Sequence, residues 1–199
     1  MNWQDYDRHC HWMTQALVLA EQAGDAGEVP VGAVLVAQAS QTLIAVGENR
    51  RERDQDPTAH AEILALRQGG LSQGNWHLNH CTLYVTLEPC PMCSGAIVLA
   101  RLGALVYGAD DPKAGAIQTV LNLPDSLASN HRLPVLKGIL EPECRSLLQR
   151  WFAQRRGHPQ SQTLPSEPLP AVESNTHSDA PPQSSSGYAP PDNLAPRPS

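Results

Sequence analysis

Thr82-Leu83-Tyr84-Val85-Thr86-Leu87-Glu88-Pro89-Cys90-Pro91-Met92-Cys93 runs from an apolar strand directly into two thiols at the opening of a helix. Cys81 to Leu87 has the composition of a buried strand. Pro91 suits a first helical turn, so a helix is predicted from Pro91 to about Arg101. Cys90 and Cys93 are three apart on that turn and can face one point. The partial positive charge of a helix N-terminus favours their thiolate forms. Upstream stands His60-Ala61-Glu62. Imidazole and thiolate are the ligands zinc prefers. His60, Cys90 and Cys93 supply three of them, and Glu62 is an acid the metal does not need. Three ligands with an open fourth position mark a metal that does chemistry; four closed ligands mark one that holds a fold.

His60 and Glu62 are two apart, and in mid-helix such residues point away from each other. A shared site therefore requires the first turn of a helix. Asp56-Pro57-Thr58 makes that plausible, with Thr58 as a cap, a helix from about Ala59 to Gln68, and Gly69-Gly70 as its stop. Further upstream, Tyr6, Cys10, Met13, Leu17 and Ala20 recur at helical spacing until Gly24. Val29 to Ala37 and Thr42 to Gly47 form a strand hairpin. Downstream come a strand over Leu105 to Gly108, a loop-rich stretch from Asp110 to Asn130, and a strand over Pro134 to Leu140. A last helix over Pro142 to Arg156 carries Leu147, Leu148, Trp151 and Phe152 on one face. The order predicts an α/β fold of three α/β/α layers, with a mixed five-stranded sheet between helices.

Ten of the eighteen prolines fall in residues 157–199, among serines and few large apolar residues. Such a segment buries too little to offset its ordering entropy. It is predicted to be a disordered tail, leaving 1–156 as the folded domain. Removing the tail's one arginine and four acids from a formal charge of −6 leaves about −3. Nucleic acid is therefore not bound by overall charge, only by local arginines and a shaped pocket. No leader-like or membrane-length apolar run is visible, so the chain reads as cytoplasmic, where C-x-x-C is a metal or redox motif before it is a disulfide. Cys10, Cys81 and Cys144 read as small buried hydrophobes.

The pairing of H-x-E with P-C-x-x-C is the known signature of zinc deaminases. Zinc makes hydroxide available at neutral pH. Glu62 can carry the water's proton to a ring nitrogen and to the departing amine. The chain resembles the bacterial tRNA-specific adenosine deaminases, which act at the anticodon wobble position. The resemblance is carried by E-V-P-V-G-A-V-L-V (28–36), N-R (49–50), D-P-T-A-H-A-E-I (56–63), A-L-R-Q-G-G (65–70), T-L-Y-V-T-L-E-P-C (82–90), M-C-S-G-A-I (92–97), N-H-R (130–132) and G-I-L-x-x-E-C (138–144). It implies a cytidine-deaminase-like fold, one Zn2+ per subunit on His60, Cys90 and Cys93, and Glu62 as proton shuttle. It also implies a homodimer acting on the anticodon stem-loop of a tRNA, an arginine tRNA in the leading reading. Asn49 would hydrogen-bond the target nucleoside, with Pro30, Val31 and Ala61 lining the pocket. Arg50, Arg150, Arg155 and Arg156 are candidate RNA contacts, together with Arg51, Arg53 and Arg145. A wobble base lies in a single-stranded loop, so extruding it costs little unstacking.

Many members read G-A-R-D-x-K after the fourth strand; this chain reads G-A-D-D-P-K at 108–113, with Asp110 in place of arginine. Free-base deaminases such as bacterial guanine deaminase share the zinc motifs and are the alternative. A closed structural zinc site, completed by His77, His80 or Cys81, is a further one. So is a non-catalytic zinc- or RNA-binding module, although such a module has no use for Glu62.

Overall fold

The computed structural model describes residues 3–156, so the predicted tail at 157–199 lies outside the described residues. In chain order the elements are α1 (Trp3–Asp25), β1 (Gly32–Ala37), β2 (Leu43–Glu48), α2 (Ala61–Gln73), β3 (Cys81–Leu87), α3 (Pro91–Leu99), β4 (Ala104–Ala109), β5 (Val135–Lys137) and α4 (Glu141–Arg156). The sheet order is β2-β1-β3-β4-β5. β1 is antiparallel to β2 and β3, whereas β4 runs parallel to β3 and β5. No helix among the described residues is long and apolar enough to cross a membrane.

Strand alternation divides the core into two layers. Ala33, Leu35, Leu83, Val85, Leu105 and Tyr107 face α2 and α3. Val34, Val36, Tyr84 and Val106 face the other way, toward Met13, Ala16 and Cys144 of α1 and α4. Both faces are covered, which explains why β1 and β3 read as continuous apolar runs and not as alternating ones. Each fully buried Leu or Val of these runs contributes about 1.5–3 kcal/mol.

Two expectations at α2 are corrected. Thr58 does not cap the helix: its amide and hydroxyl both donate to Asp56 Oδ1 at 2.7 Å, and the N-cap is His60, in extended conformation. Nor do Gly69-Gly70 end the helix, which continues to Gln73 and closes on Gly74 at φ 60°. Gly69 serves packing, because a β-carbon there would strike Leu35 Cδ2. Gly74 supplies the left-handed turn that releases the chain. The strand predicted over 134–140 shortens to three residues, and 110–130 carries neither helix nor strand.

Candidate active site

The parallel pair β3 and β4 ends where α3 begins, and the N-terminus of α2 meets it there. Crevices beyond the carboxyl ends of parallel strands are the usual ligand sites of α/β sheets. His60 is the N-cap of α2 (φ −77°, ψ 151°), so its ring leaves the helix axis while Glu62 sits in the first turn. The i, i+2 conflict seen in the sequence is resolved by that extended residue. Cys90 is the N-cap of α3, and Cys93 follows one turn on. Pro89 O accepts the Ser94 hydroxyl at 3.2 Å and the Ala116 amide at 2.9 Å, which fixes the peptide ahead of Cys90.

His60 Nδ1 lies 3.7 Å from Cys90 Sγ and 3.5 Å from Cys93 Sγ. A tetrahedral ion with ordinary zinc bond lengths sets nitrogen and sulfur about 3.6 Å apart. The donor set and the spacing therefore both fit zinc. Glu62 is not part of this trio, and among the described residues neither His77, His80 nor Cys81 joins it, so no fourth protein ligand closes the site. A hydrogen bond from Cys93, aided by His60, holds the Cys90 thiol down at about 4 despite burial, and the same bond to Cys90 holds Cys93 up. The bond to Cys90 raises His60. Cys90 is thus a thiolate at neutral pH, while Cys93 and His60 are held toward their protonated forms, and metal binding would release those protons. Glu62 is 4% exposed, and burial raises its carboxyl above the ordinary range, as a proton carrier near neutral pH requires.

A cavity of about 200 Å³ opens on His60, Glu62 and Cys90. Its walls include Val29, Val31, Asn49, Ala61, Leu87 and Asp111. It is smaller than the roughly 300–1,000 Å³ of drug-sized pockets and suits a single base. Asn49 is 8% exposed. Its Nδ2 donates to Val29 O at 3.2 Å and its main-chain amide to Val31 O at 3.0 Å, whereas Oδ1 is buried with no partner among the described residues. An orphaned buried acceptor is costly, and a ligand donor would relieve it. Pro30, expected in the wall, is buried and absent from it; its neighbours Val29 and Val31 line the cavity.

The arginines are distributed differently from one another. Arg50 pairs with Asp54 at 3.1 Å and Arg51 with Glu52 at 2.8 Å, and Arg51 also lines the cavity. Arg53 pairs with Glu48 at 2.9 Å, and Arg145 with Glu141. Arg155 donates to Gly27 O and lies over the Trp151 ring at 4.1 Å. There it borders a second cavity of about 290 Å³ that shares Val29, Asn49 and Arg51 with the first. Arg150 donates to Ser146 at 2.6 Å and lines a groove with α1 instead. Arg156 is exposed at the end of α4. Of Asn130-His131-Arg132, His131 bonds Leu102 O at 2.7 Å and Arg132 pairs with Asp125; neither lines the cavity. Asp110 takes the Tyr107 hydroxyl at 3.1 Å and Lys137 Nζ at 3.4 Å, so it turns toward β5 and leaves the wall to Asp111.

Two buried acids carry roles that sequence reading assigned to neither. Glu28 accepts the amides of Glu52 at 3.2 Å and Arg53 at 2.8 Å, and so anchors the loop after Asn49. Glu88 accepts amides of the loop after β4. A charged residue bordering an apolar stretch was the available signal.

The MafB19-like deaminase family matches residues 7–156. A tRNA-specific adenosine deaminase of Bacillus subtilis is 45% identical over 145 residues, covering 73% of this chain and 89% of that one. The one from Haemophilus influenzae is 49% identical over 144 residues, covering 72% and 83%. A solved structure from work on A-to-I editing by tRNA:A34 deaminases aligns with TM-score 0.67 and 42% identity, over 69% of this chain and 98% of that one. Guanine deaminase from Nitrosomonas europaea aligns at 0.61 and 27%, over 71% and 83%.

Proposed function

The chain belongs to the MafB19-like deaminase family and to the tRNA-specific adenosine deaminases, and on that premise we propose that it hydrolyses adenosine to inosine at the wobble position of tRNA. The observation that carries the chemistry is the open His60–Cys90–Cys93 trio beside a separate, buried Glu62. We assign residues 1–156 as the deaminase domain and read the cellular site as cytoplasmic, where the tRNA is.

His60 Nδ1 and the thiolates of Cys90 and Cys93 would hold one zinc ion per subunit, which would supply an acidified water as nucleophile at neutral pH. Glu62 takes the water's proton and passes it to the ring nitrogen as attack occurs at the carbon bearing the amino group. It then carries the remaining proton of the added hydroxyl to the departing nitrogen as the carbonyl forms, so adenosine and water give inosine and ammonia. Asn49 Oδ1 accepts a hydrogen bond from the nucleoside, which removes the orphaned acceptor. Val29, Val31 and Ala61 exclude water around the base. Arg51 and Arg155 are the arginines best situated for RNA, since both border the cavities that meet at Asn49. We take the assembly to be a homodimer. An apolar groove between α2 and α3 supports this, with Leu71 78%, Leu99 69% and Trp76 62% exposed.

The test is incubation with an A34-containing arginine tRNA stem-loop and, separately, with free guanine, measuring inosine and ammonia. Inosine at position 34 is expected. Ammonia from guanine with the RNA unchanged would refute the substrate assignment in favour of a free-base deaminase. Glu62→Ala is expected to keep its zinc and lose activity.

A further inference from the structure

Glu88 is used by no step of that chemistry, yet it directly follows β3, two residues before Cys90, and is 2% exposed. Its Oε1 accepts the main-chain N–H of Ile117 at 3.1 Å, Gln118 at 2.8 Å and Thr119 at 3.0 Å. Its Oε2 accepts that of Asp111 at 3.1 Å. All four donors belong to one loop, which has no helix or strand to hold it. That loop brings Asp111 and Ala114 to the cavity wall. The fit is closest at Gly115, where a β-carbon would strike the Glu88 carboxylate. A carboxylate is acceptor-only and offers about four lone-pair sites, so it can take four amides and present no competing donor. A buried acid retained for stability alone has no need to draw every partner from the segment that walls the substrate.

We propose that Glu88 is a positioning residue: its carboxylate fixes the cavity wall at Asp111 and Ala114, and so sets how tightly the target nucleotide is held. This deepens the substrate reading above and rests on it. Glu88→Gln isolates the effect. The amide keeps one oxygen, which settles toward the three donors at 117–119. Its NH2 then opposes the Asp111 N–H, donor against donor.

The experiment uses the full zinc-loaded chain and measures amide hydrogen exchange, zinc content, and kcat and KM on the A34 stem-loop. In Glu88→Gln, exchange at Asp111 is expected to quicken about tenfold or more, with KM rising about tenfold, the worth of one hydrogen bond to a charged group. Zinc content stays at the parent level, and kcat stays within about twofold of it. Gly115→Ala, which pushes on the same carboxylate, is expected to raise KM likewise, and the double variant to match the worse single one. Parental KM in folded Glu88→Gln or folded Gly115→Ala overturns the proposal. So does loss of zinc together with kcat, which would mean that Glu88 acts through Cys90. Should Glu88→Gln fail to fold, Gly115→Ala decides alone. The exchange arm needs no substrate, so a parent protein inactive on the stem-loop would sink the substrate reading while the anchor is still tested.

Discussion

Replacing Asn49 by alanine is expected to harm substrate turnover far more than the fold. The substitution removes the Nδ2 bond to Val29 O, at a cost of about 1 kcal/mol. It also removes Oδ1, a buried acceptor with no partner among the described residues, whose burial costs about 1–3 kcal/mol. The main-chain bond from Asn49 to Val31 O is untouched. The two side-chain contributions oppose each other, so the unfolding free energy should stay level or rise by up to about 2 kcal/mol. The transition state loses more. A hydrogen bond disappears and the nucleoside's donor is left unpaired in a closed cavity, together about 2–3 kcal/mol. That is about 30- to 150-fold in kcat/KM. Urea melts of the zinc-loaded chain give the first quantity, and stem-loop deamination gives the second. Asn49→Asp, which sets an oxygen against Val29 O, should be worse on both counts. The reasoning fails if Asn49→Ala loses more than about 2 kcal/mol of stability while kcat/KM stays within about threefold, since the side chain would then be a structural tie.

Other expectations follow from the packing and the buried groups. Gly47→Ala puts a β-carbon 2.8 Å from Ala65 N and against Ala61 O, where ordinary contact begins at 3.4 Å, so α2 must retreat and carry His60 and Glu62 with it; a loss of about 1–3 kcal/mol in urea and weaker zinc retention are expected, and an unchanged melt would contradict the close approach. Burial pushes Tyr84 up to about 12, and burial with nearby Glu143 pushes Cys144 up to about 12. Both groups then keep protons in the folded chain that the unfolded chain releases, so stability is present below pH of about 9 and falls from there toward 12. A urea midpoint that does not drop between about pH 8 and 10.5 would refute this. Leu71→Glu with Leu99→Glu should convert a dimer to a monomer on sedimentation while changing monomer stability by about 0.5 kcal/mol or less; a parent already monomeric at micromolar concentration would reject the dimer.

The convergence of His60, Cys90 and Cys93 was legible because they are distinctive side chains at restrictive spacings. The i, i+2 separation of His60 and Glu62 forced them to a helix start, and His60 is the N-cap. The layers were legible because Val34 and Leu35 alternate within a run too apolar to face water on either side. Gly69 misled because a glycine needed for close approach to Leu35 reads the same as one that ends a helix. Pro30 was expected in the wall together with Val31, yet neighbours along an extended segment face opposite ways, so Val29 and Val31 share the wall and Pro30 does not.

Glu28 and Glu88 were illegible for a deeper reason: apart from the Arg53 guanidinium 3.7 Å from Glu28, they are held by hydrogen bonds from main-chain amides, which every residue but proline supplies. That same fact accounts for the departure at 108–113. Glu88 grips the loop through the amides of 111 and 117–119, so the loop's path does not depend on which side chain stands at 110. Asp110 can replace an arginine and turn to Tyr107 and Lys137 without loosening the wall. Proline is admissible at 112 because no amide is drawn from that position. Proline at 111 or 118 would remove a donor from the carboxylate, so the positions where this loop can vary are set by the anchor beneath it.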